Sequence, residues 1–108
     1  MTMTQQYAEH EPARAEIDAL KGAVLVEFGA PWCGYCQHAQ PHLARALAAH
    51  AGVRHFKIED GSGRRLGRSF HVKLWPTLVF LRDGAEVARL VRPDGPEAIE
   101  RALRQIGD

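Results

Sequence analysis

The chain has 108 residues, of which 45% are apolar and 25% charged, the composition of one ordinary globular domain. Its formal net charge of +1 argues against a nucleic-acid binder that works by bulk electrostatics, and no apolar run approaches the roughly 18 residues of a membrane helix. The N-terminal stretch MTMTQQYAEHEP has neither a basic start nor an apolar core, so we do not expect it to be a secretory signal. We therefore expect a cytoplasmic protein with neither nucleic-acid nor membrane partners.

Two regions of different character follow one another along the chain. Residues 1–11 are a polar N-terminal segment, expected to be loosely held with at most a short edge strand near Tyr7, and residues 12–108 are the domain. Apolar periodicity, helix caps and turn residues predict the elements of the domain. In chain order these are a helix from Pro12 that stops at Lys21-Gly22, a strand over Ala23–Phe28, a helix over about Cys33–His50, a strand over Val53–Ile58, a short helix over Arg64–Phe70, strands over Thr77–Leu81 and Glu86–Val91, and a closing helix that begins near Pro96.

The order of these elements indicates the fold class. A strand, a helix and a strand in succession favour a parallel β-α-β unit with a right-handed crossover. The turn Arg82-Asp83-Gly84-Ala85 is typical of a tight hairpin between the last two strands. We expect an α/β fold in which a small mixed sheet of four to five strands is flanked by helices on both faces.

The two cysteines, Cys33 and Cys36, lie where the first strand ends and the long helix begins. In a reducing compartment, a lone close pair suggests metal binding or redox catalysis rather than a structural disulfide. A thiolate at Cys33 would face the unpaired N–H groups and the positive end of the helix, which stabilise its charge. Cys36 comes one turn later and is turned toward the protein. We expect Cys33 to be an exposed nucleophile and Cys36 its partly buried partner.

A zinc site is the main alternative for these cysteines. The spacing Cys33-x2-Cys36-x13-His50-x4-His55 satisfies the loose pattern of a site with two cysteines and two histidines. However, His50 ends the predicted helix and His55 lies in the next strand, and the chain has enough apolar residues to fold without a metal. We therefore expect no metal. Two inert buried cysteines that share a turn by accident are the other alternative.

The segment Ala23–Cys36, AVLVEFGAPWCGYC, resembles the strand, loop and active site of the thioredoxin family. Trp32 matches the Trp before the first active-site Cys, Pro41 matches the helix-kinking proline, and Trp75-Pro76-Thr77 matches the cis-proline segment. The resemblance runs from about Pro12 to the C-terminus. It implies a thioredoxin fold with the Cys pair opposite a cis-proline, whose neighbouring backbone pairs with the incoming substrate chain.

The same resemblance implies an enzyme, a protein-disulfide reductase that supports cell redox homeostasis and electron transport. Cys33 would attack a substrate disulfide and Cys36 would resolve the mixed disulfide. The implied partners are disulfide-containing protein substrates and thioredoxin reductase, a flavoprotein that passes on electrons from NADPH. Because the sequence contains no Gly-rich phosphate loop, we expect no tightly bound cofactor. We also expect a monomer.

Residues around the Cys pair supply the expected substrate groove, and several of them depart from the family pattern. Tyr35 stands where thioredoxins usually have a proline, Trp75 replaces a small aliphatic residue, and Arg92 replaces a Gly that leaves room for a partner chain. The departures at Trp75 and Arg92 would alter the groove and support a second hypothesis, a thioredoxin-like client-binding module or complex subunit in which redox turnover is secondary. Gly34 is expected to allow a tight backbone approach beside Cys33. The groove and its support comprise Trp32, Gly34, Tyr35, Trp75, Pro76, Thr77 and Arg92.

Glu27 is the one charged residue in the first strand and occupies the place of a buried Asp in the family. Burial should raise its pKa, and by resemblance it should point toward the rear of Cys36 and accept that thiol's proton. The alternative is a strand-end Glu that reaches solvent. Lys57 is a candidate for the family's buried Lys, and a small shift in register would put His55 there instead.

Overall fold

The computed structural model describes residues 3–107, and the elements within them follow the predicted order. In chain order they are α1 (Arg14–Asp18), β1 (Ala23–Gly29), α2 (Gly34–Leu47), β2 (Arg54–Glu59), α3 (Arg65–Ser69), β3 (Thr77–Arg82), β4 (Ala85–Val91) and α4 (Pro96–Ile106). The four strands form one sheet in the order β2-β1-β3-β4. β1 is parallel to β2 and antiparallel to β3, and β3 is antiparallel to β4, so the sheet is mixed.

Helices cover both faces of this sheet. Because side chains alternate along a strand, Leu25 of β1 packs on one face against α2 and α4, while Val24 and Val26 pack on the other face with Ile17 of α1 and Leu66 of α3. No helix within residues 3–107 is long and apolar enough to cross a membrane. The structure confirms the predicted α/β class, a small mixed sheet with helices on both faces.

The hairpin between β3 and β4 has the predicted two-residue turn. Asp83 and Gly84 have φ angles of 52° and 82°, which is the left-handed backbone that such a turn requires. A β-carbon at Gly84 would also collide with the carbonyl oxygen of Asp18, so glycine is needed there for two reasons.

The first helix begins later than predicted, and residues 3–11 run along the sheet without forming a strand. α1 begins at Arg14, because the N-cap is Ala13, whose N–H donates to the Glu16 carboxylate at 2.9 Å. Pro12 precedes the helix instead of opening it. Between residues 3 and 11 there is no strand near Tyr7. The segment instead lies along β2, where the N–H of Ala8 donates to the Lys57 carbonyl at 2.9 Å.

The topology brings three loops to one edge of the sheet. β1 ends at Gly29, and the helix that carries the cysteines begins five residues later. Because β3 runs antiparallel to β1 with Thr77 opposite Phe28, the residues just before β3 lie beside those just after β1. The end of β2 meets the same place, where the N–H of Asp60 donates to the Gly29 carbonyl at 2.8 Å.

Candidate active site

Cys33 is the N-cap of α2, and its sulfur accepts the N–H of Cys36 at 3.3 Å. This is the helix-terminus contact expected to stabilise a thiolate. The prediction of an exposed Cys33 is wrong in degree, since only 6% of the residue is exposed against 2% for Cys36. The reason is that Ala30 and Trp75 pack against the pair. Cys33 remains the more accessible of the two thiols.

The environment of Cys36 favours its protonated form. Burial, together with a hydrogen bond to the Cys33 sulfur, raises the pKa of Cys36 to about 12, although a backbone hydrogen bond with Ala30 opposes the shift. A β-carbon at Gly29 would lie 2.5 Å from the Cys36 sulfur, so only a glycine at the end of β1 leaves room for it. The pair is therefore asymmetric, with one sulfur at a helix terminus and one buried thiol behind it.

Glu27 lies fully buried beneath this pair, so the alternative of a solvent-exposed Glu27 is wrong. One carboxylate oxygen contacts His55 Nε2 at 2.8 Å, and the other accepts from Lys57 Nζ at 3.3 Å and Gln40 Nε2 at 2.8 Å. The parallel register of β1 and β2 places Glu27 opposite Lys57, and His55 lies two residues earlier on the same face. Lys57 and His55, the two candidates for the position of the family's buried Lys, therefore both contact Glu27.

The prediction of a raised pKa for Glu27 is wrong. Burial by itself would raise the pKa, but the hydrogen bond with His55, the charge of Lys57 and the hydrogen bond from Gln40 outweigh it and hold the pKa below its ordinary value of 4.5. The N–H of Thr4 donates to His55 Nδ1 at 2.9 Å, so the ring carries its proton on Nε2 and donates it to Glu27. The carboxylate is thus ionised and fully partnered.

The contacts of His55 also bear on the zinc alternative. Both of its ring nitrogens have partners, Thr4 on one side and Glu27 on the other, and it lies on β2 rather than beside the cysteines. No group of three or more His, Cys, Asp or Glu residues that could hold a metal occurs within residues 3–107.

An aromatic surface surrounds the Cys pair. Trp32 is 72% exposed and meets half-buried Trp75 edge to face, with ring centroids 5.5 Å apart. Trp75 Nε1 donates to Asp60 at 2.9 Å, which fixes the ring, and the Trp75–Pro76 bond is cis as the resemblance implies. The hydroxyl of buried Thr77 donates to the Leu74 carbonyl at 2.6 Å and anchors this loop. Exposed apolar side chains concentrated in one place are typical of a protein-binding surface.

Arg92 reaches across this surface. Its Nε donates to the Trp75 carbonyl at 2.8 Å, and its guanidinium lies 3.8 Å from the ring centroid of Tyr35. Its backbone has a φ of 52°, and its N–H donates to the Pro76 carbonyl at 3.0 Å. Arg92 therefore joins the cis-proline loop to the start of α2, and it covers a carbonyl beside the Cys pair.

Gly34 does not have the role expected of it. A β-carbon there would meet nothing within 4 Å, so the structure shows no close backbone approach that requires glycine. The reason is that Gly34 is the first residue of α2 and faces solvent.

Four residues that contact the site were missed by the sequence analysis. Gln40 lies one turn after Cys36, a helical spacing that could have indicated it. Asp60 follows a strand parallel to β1, and such strands end at the same edge of a sheet. Nothing in the local sequence indicates Tyr7, whose hydroxyl lies beside Gly29 and Cys36, or Thr4, which contacts His55. Those contacts depend on how the N-terminal segment lies along β2.

Comparisons with known proteins agree with this geometry. The thioredoxin family model matches residues 4–105. The solved structure of thioredoxin 2 from Pseudomonas aeruginosa PAO1 in its reduced form is 57% identical, with a TM-score of 0.85 and coverage of 96% of both chains. Mitochondrial thioredoxin-3 of Saccharomyces cerevisiae is 28% identical over 77% of this chain, and human protein disulfide-isomerase A2 is 42% identical over 57% of it. The chain spans 65% and 13% of the lengths of these two curated relatives.

Proposed function

The chain belongs to the thioredoxin family, and from this we propose that it is a thiol–disulfide oxidoreductase that reduces protein disulfides through Cys33 and Cys36. The observation that carries the proposal is the asymmetry of the pair. The Cys33 sulfur accepts an amide N–H at the start of α2, whereas burial raises the pKa of Cys36 to about 12. The Cys33 thiol is thus arranged to act as the nucleophile, whereas the Cys36 thiol stays protonated until the second step.

The reaction follows from this arrangement in two steps. The Cys33 thiolate attacks one sulfur of a substrate disulfide; a bond forms between Cys33 and the substrate, and the second substrate sulfur leaves with the electron pair and takes up a proton. Cys36 then loses its proton and attacks Cys33. The Cys33–Cys36 disulfide forms, the substrate's first sulfur leaves as a thiolate, and the two electrons have passed from the protein to the substrate.

Glu27 is proposed as the acceptor of the Cys36 proton. The carboxylate is ionised, and Gln40 holds it near Cys36, since Gln40 Nε2 donates both to Glu27 at 2.8 Å and to the backbone carbonyl of Cys36 at 2.9 Å. Because its pKa is held low, Glu27 is a weak base, and it would pass the proton on to water rather than keep it.

The oxidised protein must be reduced again, because each turnover leaves a Cys33–Cys36 disulfide. We propose that a flavoprotein thioredoxin reductase supplies the electrons from NADPH, that the protein works as a monomer without a tightly bound cofactor, and that its compartment is the cytoplasm. The reducing conditions of the cytoplasm support the last point, because they keep such a pair in the dithiol state between turnovers.

Reduction of insulin disulfides tests the proposal. The protein, supplied with NADPH and a bacterial thioredoxin reductase, is expected to oxidise NADPH in proportion to the disulfides reduced. A client-binding module is the second candidate, favoured by the exposure of Trp32 and Tyr35 and by the placement of Arg92. Stable capture of a client protein without turnover, also when dithiothreitol is the reductant, would favour the module and contradict the reductase.

Arg92 is expected to restrict the choice of substrate. Arg92→Gly should uncover the Trp75 carbonyl, broaden activity across unrelated disulfide substrates, and weaken the preference for acidic substrates by about two- to fivefold, the effect of one exposed charge pair. Stability should not fall, because a φ of 52° suits glycine better than arginine. The measurement is kcat/KM on an acidic and a neutral peptide disulfide at low and high salt.

Arg92→Lys is the matched control, since it keeps the charge but loses the planar stacking on Tyr35 and the directed bond to Trp75. We expect it to retain the salt-dependent preference while broadening the substrate range. A substrate profile identical to that of the wild type in Arg92→Gly at both salt concentrations would show that Arg92 has no part in selection.

Tyr35 is expected to influence the redox potential. It is the second residue of α2, where an N–H has no acceptor within the helix, so Tyr35→Pro should fold normally. Proline lacks the backbone N–H that Tyr35 supplies at the start of α2. One hydrogen-bond donor near the Cys33 thiolate is lost, so the reduced form of the protein is destabilised. The potential measured against glutathione should become more negative by about 30 mV. Tyr35→Ala keeps the N–H and should shift the potential less; equal shifts in both variants would instead assign the effect to the ring.

A further inference from the structure

Tyr7 places its hydroxyl beside the resolving thiol. An added β-carbon on Gly29 would lie 2.5 Å from the Cys36 sulfur and 3.2 Å from the Tyr7 hydroxyl oxygen, so the two groups are neighbours at the end of β1. Interaction with Cys36 is among the causes that raise the pKa of the Tyr7 hydroxyl, after burial. Tyr7, Cys36, Gln40 and Lys57 also line one cavity of about 250 Å³, which adjoins the buried thiol.

Residues before and after Tyr7 in the chain are hydrogen-bonded to β2. Before Tyr7, the Thr4 N–H and hydroxyl donate to His55 Nδ1 and to the His55 carbonyl at 2.9 Å and 2.7 Å. After Tyr7, the Ala8 N–H donates to the Lys57 carbonyl. The Tyr7 ring has Lys57 Nζ 4.7 Å from its centroid. These bonds determine where the ring lies, so the hydroxyl is positioned before any substrate arrives.

We propose that Tyr7 is the hydrogen-bond donor that stabilises the Cys36 thiolate during the resolving step, and that residues 3–8 are therefore part of the active site. The inference rests on the proposed reductase function. In that step the Cys36 thiolate attacks the Cys33 sulfur of the mixed disulfide, the bond between Cys33 and Cys36 forms, and the substrate sulfur leaves with the electron pair.

The chemistry of the hydroxyl fits this role. Burial, together with the negative charges of Cys36, Glu27 and Cys33, raises the pKa of Tyr7, so its hydroxyl keeps its proton and acts as a donor rather than as a base. A backbone hydrogen bond with Ala30 also favours the Cys36 thiolate, whereas the N–H of Cys36 itself donates to the Cys33 sulfur. A hydrogen bond to a charged sulfur is stronger than one to the neutral thiol, so Tyr7 stabilises the nucleophile more than the resting state.

The test is Tyr7→Phe in the full chain, which removes one oxygen and keeps the ring over Lys57. Rapid-mixing measurements of a disulfide substrate should show the first attack within about twofold of wild type and the resolving step slowed about tenfold, equivalent to about 1.4 kcal/mol. The pH profile of resolution should move upward. The titratable groups that face Cys36, and so influence this profile, are Cys33 at the N-cap of α2, Glu27 on β1, Lys57 on β2 and Tyr7 itself.

Two further variants distinguish loss of the hydroxyl donor from a structural effect of the substitution. His10→Ala alters an exposed side chain of the same segment and should leave both steps unchanged. A ring-fluorinated tyrosine in place of Tyr7 is a stronger donor and should speed resolution rather than slow it. Resolution at the wild-type rate with an unchanged pH profile in Tyr7→Phe would overturn the proposal.

A second measurement distinguishes failure of this inference from failure of the proposed function. In a Cys33→Ser background, alkylation of Cys36 at fixed pH reports its thiolate fraction without any turnover. Tyr7→Phe should slow that alkylation about tenfold, which is about one pKa unit. Slower alkylation in this background, combined with no disulfide reduction by the protein that retains Cys33, would support the contact and contradict the reductase, whereas unchanged alkylation would contradict the role of Tyr7.

Discussion

Cys33→Ser is expected to reduce disulfide reductase activity to the uncatalysed background, while Cys36→Ser is expected to lose turnover but accumulate mixed disulfides with its substrates. Cys33 is the more accessible sulfur and accepts the Cys36 N–H at the start of α2, whereas the Cys36 thiol is buried with a pKa raised to about 12. Only the first sulfur can therefore begin the reaction, and only the second can complete it.

The measurement is trapping of substrate proteins on each variant, followed by release with dithiothreitol and mass spectrometry. Cys33→Ser is a well-matched control for folding, because Cys33 is an N-cap and serine is among the preferred residues at that position. Its unfolding free energy should equal or exceed that of the wild type. Equal trapping by the two variants would contradict the assignment of Cys33 as the attacking thiol.

The second large effect is expected from Glu27→Leu, which should destabilise the fold by about 3–5 kcal/mol. The sequence alone predicts the opposite, that Glu27→Leu stabilises the fold, because burial of an unpaired carboxyl group costs free energy. In the structure, however, removal of the carboxylate leaves the Lys57 ammonium, whose side chain is 6% exposed, without an opposite charge, although Gln40 Oε1 still accepts from it at 2.7 Å. The His55 N–H also loses its acceptor. A denaturant titration measures the loss, and Glu27→Leu should also slow the resolving step but not the first attack.

The double variant Glu27→Leu with Lys57→Met is the matched control. Replacing both members of a buried ion pair with apolar side chains avoids the unpaired charge, so much of the lost stability should return. An unfolding free energy for Glu27→Leu equal to that of the wild type would show that the carboxylate is dispensable.

The contribution of Glu27 should also depend on pH. Its pKa is lower in the folded protein than its ordinary value of 4.5, so its stabilising effect is complete above that value and is lost as the pH falls below it through the folded-state pKa. The gap in stability between wild type and Glu27→Leu should therefore be constant near neutral pH and shrink on acidification below 4.5.

Local patterns in the sequence were enough to predict the order of the elements and the position of the Cys pair at a helix start. The prediction of a hairpin at Asp83-Gly84 is confirmed, because a two-residue turn with positive φ angles constrains the residue types directly. The position of Cys33 at a helix start followed from a buried strand, a break and a helical pattern in succession. Such features depend on neighbours within a few residues, and the sequence displays them.

Only the tertiary structure decided what surrounds the two sulfurs. Glu27 meets His55 across 28 residues of sequence, a contact that depends on the register of two parallel strands, and it reverses the direction of the pKa shift that burial alone would cause. Tyr7 reaches Cys36 because backbone hydrogen bonds hold the N-terminal segment along β2, and Arg92 covers Trp75 because β4 ends beside the cis-proline loop. Spacing along the chain identifies reactive residues, but the free energy of a buried charge or thiol depends on groups that only folding brings within hydrogen-bond distance.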